Sequence, residues 1–115
     1  ADYDRIFALL DPRVGWVPDT GHILRGGQSM DLTLAAHRNR IRYIHLKDVD
    51  AQGNWAMLGK GSCDVSAVIA AVRQAPHFNG WVVVEEESET AASDPATAVR
   101  VNLETLRHLK IEATN

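Results

Sequence analysis

The chain has 115 residues, 45% of them hydrophobic and 23% charged, with a formal charge of −3 at pH 7. That is the length of one domain or less and the composition of a soluble globular protein. The acidic balance offers no electrostatic footprint for nucleic acid or an anionic membrane surface, no apolar run reaches membrane-spanning length, and the lone Cys63 excludes an internal disulfide. A cytoplasmic protein without a signal peptide is expected.

Ile6, Leu9 and Leu10 recur at helical spacing over residues 2–10, and Asp11-Pro12 closes that helix because proline keeps the preceding residue out of the α region. A short apolar strand follows from Val14, ending in Asp19, with His22 three residues later. Gly26-Gly27 breaks the chain before a helix over Met30 to Asn39, with Leu32, Ala35 and Ala36 as its apolar stripe. Ile41, Tyr43 and Ile44 then predict a strand running to Leu46 and carrying His45.

Residues 47–62 are polar and punctuated by glycine, with Trp55, Met57 and Leu58 embedded, as suits a loop over a site. Trp55 either walls a pocket or anchors the loop, and Gly59 and Gly61 permit a tight path. Cys63 reads as a partly buried, inert thiol. Asp64 is a good N-cap for a helix with Val65, Val68, Ile69 and Val72 on one face. Pro76 and Asn79-Gly80 end it, and Trp81 to Val84 is a continuous apolar run suited to a strand covered on both faces. Asp94-Pro95 opens a last helix with Val99, Leu103 and Leu106 as its buried stripe. His37, His77 and His108 fall on helices or helix ends and are expected to face solvent.

A strand followed by a helix, three times over, argues for a parallel α/β sheet with right-handed crossovers. Three strands leave two open edges, which invite pairing with something else. The sequence therefore reads as a piece of a larger sheet, unless a small α/β binding protein covers its edges by forming a homo-oligomer.

Parallel strands present their carboxyl ends to one side, where α/β folds bind ligands. Here those ends carry Asp19, His45 and Glu85. Singly, Asp19 could cap a turn, His45 could be a satisfied core histidine and Glu85 could begin a solvated acidic run. Together they offer the carboxylate and imidazole donors that divalent cations take. Side chains alternate along a strand, so Glu85 and Glu87 share a face while Glu86 points away. Lys47 and Asp48 either line the mouth, holding substrate hydroxyls or orienting the loop, or form a surface ion pair.

Four blocks carry a resemblance: Asp19-Thr20-Gly21-His22, then Arg42-Tyr43-Ile44-His45-Leu46-Lys47-Asp48, then Leu58-Gly59-Lys60-Gly61 followed by Asp64, then Gly80-Trp81-Val82-Val83-Val84-Glu85. In order and approximate spacing the chain resembles the sugar phosphate isomerase/epimerase family, the xylose-isomerase-like TIM barrels that include ketose 3-epimerases and inosose dehydratases. The resemblance implies an α/β (β/α)8 barrel of which this chain, residues 1–115, is a partial domain comprising the last three units; a complete barrel takes about 250 residues. It implies one divalent metal ion, manganese, cobalt or magnesium, held by Asp19, His45 and Glu85, with a fourth ligand, a glutamate on an earlier strand, that has no counterpart here. His22 matches a histidine that contacts substrate oxygens, beside Lys47 and Asp48 as further substrate-side residues.

The implied chemistry is isomerisation or epimerisation of a sugar or sugar phosphate by proton abstraction next to a carbonyl, through an enediolate, with Glu85 as ligand and base. A cyclitol dehydratase would begin with the same proton loss. The 115-residue chain alone is expected to turn over poorly. A metal-dependent nuclease on a related barrel would use several zinc ions and more histidines, and a barrel without chemistry could serve as a sensor or binding domain.

Overall fold

The structure is a computed structural model and describes residues 2–111. Its elements, in chain order, are α1 (Asp2–Leu9), α2 (Thr20–Arg25), α3 (Met30–Ala36), a 3-10 turn (Arg38–Arg40), β1 (Ile44–Leu46), β2 (Asp48–Val49), β3 (Trp55–Ala56), α4 (Val65–Arg73), β4 (Val82–Val84), α5 (Glu89–Ser93) and α6 (Pro95–His108).

Three extended segments lie side by side and run parallel. β1 pairs with β4 in the register Ile44–Val82, His45–Val83 and Leu46–Val84. On the other side of β1 the segment 14–19 makes parallel bridges at Trp16–Ile41 and Asp19–His45. It falls short of a continuous strand because Pro18 has no N–H to give; its carbonyl still accepts from the His45 amide at 3.0 Å. Aligned in this way, Asp19 and His45 stand opposite each other, and Glu85, two residues beyond Val83 on the same face, follows at the strand end.

Alternation assigns the faces. Ile44 and Leu46 are buried and pack with Val82 and Val84 against Val65, Val68, Ile69 and Val72, the apolar face of α4. Asp64 caps that helix through the Ala67 amide at 3.0 Å, as its sequence predicts. His45 and Val83 project from the opposite face, which no helix covers among the described residues. Trp81 is 70% exposed and Val83 is exposed, so the expectation of a strand covered on both faces is corrected: a single helical layer shelters one face only.

Two predicted stripes are also corrected. In α3 the buried residue is Leu34, not Leu32, Ala35 or Ala36. In α6 the buried residues are Ala98 and Asn102, and Leu106 packs against the core as expected, while Val99 and Leu103 are exposed. The helix over residues 2–10 forms, but its packed side is Tyr3 and Phe7, whereas Ile6 and Leu9 are exposed. Tyr3 and Phe7 close on Trp16, with ring centroids 5.1 and 5.5 Å away. His37, expected in solvent, sits edge-on to Phe7 at 4.7 Å and pairs with Asp4 at 3.0 Å. His77 and His108 are exposed as expected. Among the described residues no helix is long and apolar enough to cross a membrane.

Candidate metal centre

Asp19 arrives at the sheet end already committed on one oxygen. It is the N-cap of α2, and its Oδ1 accepts from the His22 amide at 3.0 Å. The spacing Asp19-x-x-His22 is thus a capping spacing, and it fixes the carboxylate so that Oδ2 remains for the sheet-end cluster. Gly21 lets the helix approach: a Cβ there would lie 2.7 Å from Lys47 Cγ and 2.8 Å from Trp55 Cζ3. Thr20, next to the cap, is fully buried, and its hydroxyl donates to the Lys47 carbonyl at 2.6 Å and accepts from the Lys47 amide at 2.9 Å. Cap and strand are thereby clamped together.

Asp19, His45 and Glu85 each offer one ligand atom, and these atoms lie within 4.8 Å of one another. His45 Nδ1 stands 2.8 Å from Glu85 Oε2. Lys47, two residues beyond His45 and on the same face, donates to Glu85 Oε1 at 3.1 Å and to Glu87, with Asp19 Oδ2 at 3.8 Å. Glu86 turns to the other side and accepts from Asn102 Nδ2 at 2.7 Å, as the alternation argument requires. Hydrogen bonds from His45 and then Lys47 outweigh the small desolvation of Glu85 and hold its carboxyl below the usual range. Burial favours neutral Lys47, but its bonds to Glu87 and Glu85 and the charge of Asp19 prevail, leaving it above the usual lysine value.

Donor chemistry fits a divalent cation. Two carboxylates and an imidazole are the ligands that hard and borderline cations take, and atoms sharing one ion at about 2.1 Å stand up to about 4.2 Å apart, so the observed cluster needs little closure.

The other sequence-predicted residues lie around this cluster. His22 is exposed and packs edge-on against Trp55 at 5.1 Å, with the Arg25 guanidinium 4.3 Å from the same ring. Trp55, Arg25, Asn54, Glu87 and Thr90 contribute to an open cleft of about 630 Å³ beside the cluster. Lys47 and Asp48 are not a surface ion pair, since both are essentially buried. Asp48 faces the loop: Oδ1 accepts from the Val49 and Cys63 amides at 2.8 and 2.9 Å, and Oδ2 from Gly59 and Gly61 at 2.9 and 3.0 Å. Its contacts are those of a loop-orienting residue. Gly61 is required there, because a Cβ would lie 2.3 Å from Asp48 Oδ1. Burial pushes the nearby Cys63 thiol up to about 11, which keeps it inert at neutral pH.

Sequence reasoning missed Thr20 and Asn102. Asn102 joins Glu86 to the loop, accepting the Leu58 amide at 2.8 Å, while Thr105 donates to the Leu58 carbonyl at 2.9 Å. Both act on partners far away in sequence, and nothing in local spacing announces them.

Residues 1–109 match the family described as Xylose isomerase-like TIM barrel. The chain is similar to the inosose dehydratase of Geobacillus kaustophilus (strain HTA426), at 30% identity over 94% of this chain and 41% of that protein. It is 32% identical to the inosose dehydratase of Geobacillus thermodenitrificans (strain NG80-2), over 82% of this chain and 38% of the relative. With the inosose dehydratase of Lacticaseibacillus casei the identity is 27%, over 83% and 38%. The chain spans about two fifths of the length of these relatives.

Proposed function

The chain belongs to the xylose isomerase-like TIM-barrel family, and on that premise we propose that it supplies three strand-and-helix units and three metal ligands to a barrel that dehydrates a keto-cyclitol such as an inosose. The observation that carries this reading is the convergence of Asp19, His45 and Glu85 at one sheet end. The names of the relatives support dehydration over the sugar isomerisation or epimerisation that the sequence alone puts first. Both reactions begin with loss of a proton next to a carbonyl, so the same residues serve either.

Within the proposed site Asp19, His45 and Glu85 would hold one divalent cation, manganese, cobalt or magnesium, whose Lewis acidity stabilises negative charge developing on the substrate's carbonyl oxygen. Glu85 is ionised at neutral pH and takes the proton from the carbon beside the carbonyl. The C–H electron pair moves into the ring to give an enolate. In dehydration this pair then expels the hydroxyl on the next carbon, and the proton held by Glu85 leaves with it as water. In epimerisation Glu85 keeps that proton, and a group from the rest of the barrel delivers another to the same carbon from its opposite face. Lys47 holds Glu85 in place through Oε1, His22 and Trp55 line the approach for the cyclitol or sugar, and Asp48 orders the loop beneath them.

The test follows an inosose in deuterated buffer with manganese, using a complete barrel that contains these residues beside the 115-residue chain alone. The expected product has lost the mass of one water, and Glu85→Gln slows its formation at least about 100-fold, the usual worth of a positioned base. The isolated chain is expected to be poorly active, because it brings three ligands and part of the pocket wall. Deuterium entering a product that has lost no water would favour epimerisation, and turnover unaffected by Glu85→Gln would refute the role given to Glu85.

A further inference from the structure

Lys47 is the cation the structure places among the carboxylates of the cluster. Its side chain is 2% exposed. Its ammonium bonds Glu85 Oε1 at 3.1 Å and Glu87, lies 3.8 Å from Asp19 Oδ2, and is roofed by the Trp55 ring with the centroid 4.6 Å away. A lysine this enclosed is rare unless it is paired. Without it, Asp19, Glu85 and Glu87 would crowd negative charge around His45.

We propose that Lys47 is a built-in counter-cation for this centre. It holds the carboxylates together when no metal is bound and competes with the metal for them when one arrives. This rests on the reading of Asp19, His45 and Glu85 as ligands. Glu85 shows the division of labour: Oε1 goes to Lys47, which leaves Oε2 facing His45 Nδ1 at 2.8 Å. Lys47 is thus also a positioning residue, presenting one defined oxygen. Three carboxylates and one ammonium leave a formal charge of −2, which a single divalent cation neutralises. The lysine is tethered through its backbone to Thr20 and packed against Gly21, so it stays nearby when the metal binds, and its repulsion is a standing cost to affinity.

The test compares the chain with Lys47→Met, which keeps the packed stem, and with the double variant Lys47→Met/Glu87→Gln. In EDTA the single variant is expected to melt below the parent, and the double variant to recover part of the loss. Manganese should raise the melting temperature of Lys47→Met by more than that of the parent, and calorimetry should show manganese binding at least about tenfold tighter, as expected when a neighbouring like charge is removed. Equal melting in EDTA, or manganese affinity that is unchanged or weaker, would overturn the inference. If Lys47→Met does not fold in EDTA, recovery by manganese or by Glu87→Gln supports it, and recovery by neither refutes it. Manganese binding by the parent through His45, with no gain in Lys47→Met, would sink this inference alone. Failure of manganese to bind either protein would sink the ligand reading and this inference with it.

Discussion

Asp19 shows how one side chain can both cap a helix and join a cluster. Read alone, its spacing to His22 is that of a helix cap, and the structure makes it one. Yet a carboxylate has two oxygens, and the cap uses one, so capping positions the other among His45 and Glu85. Chain order and alternation made those three residues, and the outward turn of Glu86, legible. Thr20 and Asn102 were not, since their partners lie 27 and 44 positions away and a buried hydroxyl or amide leaves no periodic mark. Asp48 is the residue whose role can be measured most simply. Its two oxygens accept four backbone amides of the loop, and an asparagine offers one acceptor oxygen in place of two. Asp48→Asn should therefore cost about 2–3 kcal/mol of stability through amides left without partners, and should speed proteolysis between residues 50 and 61. Urea denaturation and limited digestion would check both; a change under about 0.5 kcal/mol, the range of ordinary surface substitutions, would contradict it.

At the scale of elements, α4 was fully legible because a strong cap and a four-residue apolar face agree. The stripes of α3 and α6 were misjudged because a helix on a sheet with one covered face turns toward whatever partner exists. α6 turns Ala98, Asn102 and Thr105 toward the 58–60 loop and Glu86, leaving Val99 and Leu103 outside. α2 escaped notice because six residues containing a glycine carry no helical period. The start of α6 can be tested by pH. Asp94 accepts from the Thr97 amide at 3.1 Å, and its bonds to Thr97 hold the carboxyl below its ordinary 3.8. A folded value below the unfolded one means that the contribution is present above pH 3.8 and is lost as pH falls through the folded value. Asparagine caps about as well without titrating. Asp94→Asn should therefore melt close to the parent at neutral pH and lose less on acidification, as followed by circular dichroism. An unchanged acid limb would show that the cap carries no pH dependence.

Over the whole molecule, the parallel order and the strand ends were implied by three repeats of strand and helix, whereas the open face of β4 was not, because a continuous run of valines reads as a strand covered on both sides. Trp81, just before β4, and Val83 within it are exposed, as are Val99 and Leu103 on α6. We propose that residues 1–115 form one partial domain and that further barrel units pack beside its exposed sheet residues. The separation of the chain's own ligands from the rest of a barrel makes one measurement decisive: manganese titrated by calorimetry into the chain and into His45→Ala. Saturable one-to-one binding that disappears in the variant is the expected result. Heat that is absent from both, or equal in both, would contradict the claim that Asp19, His45 and Glu85 form a metal centre.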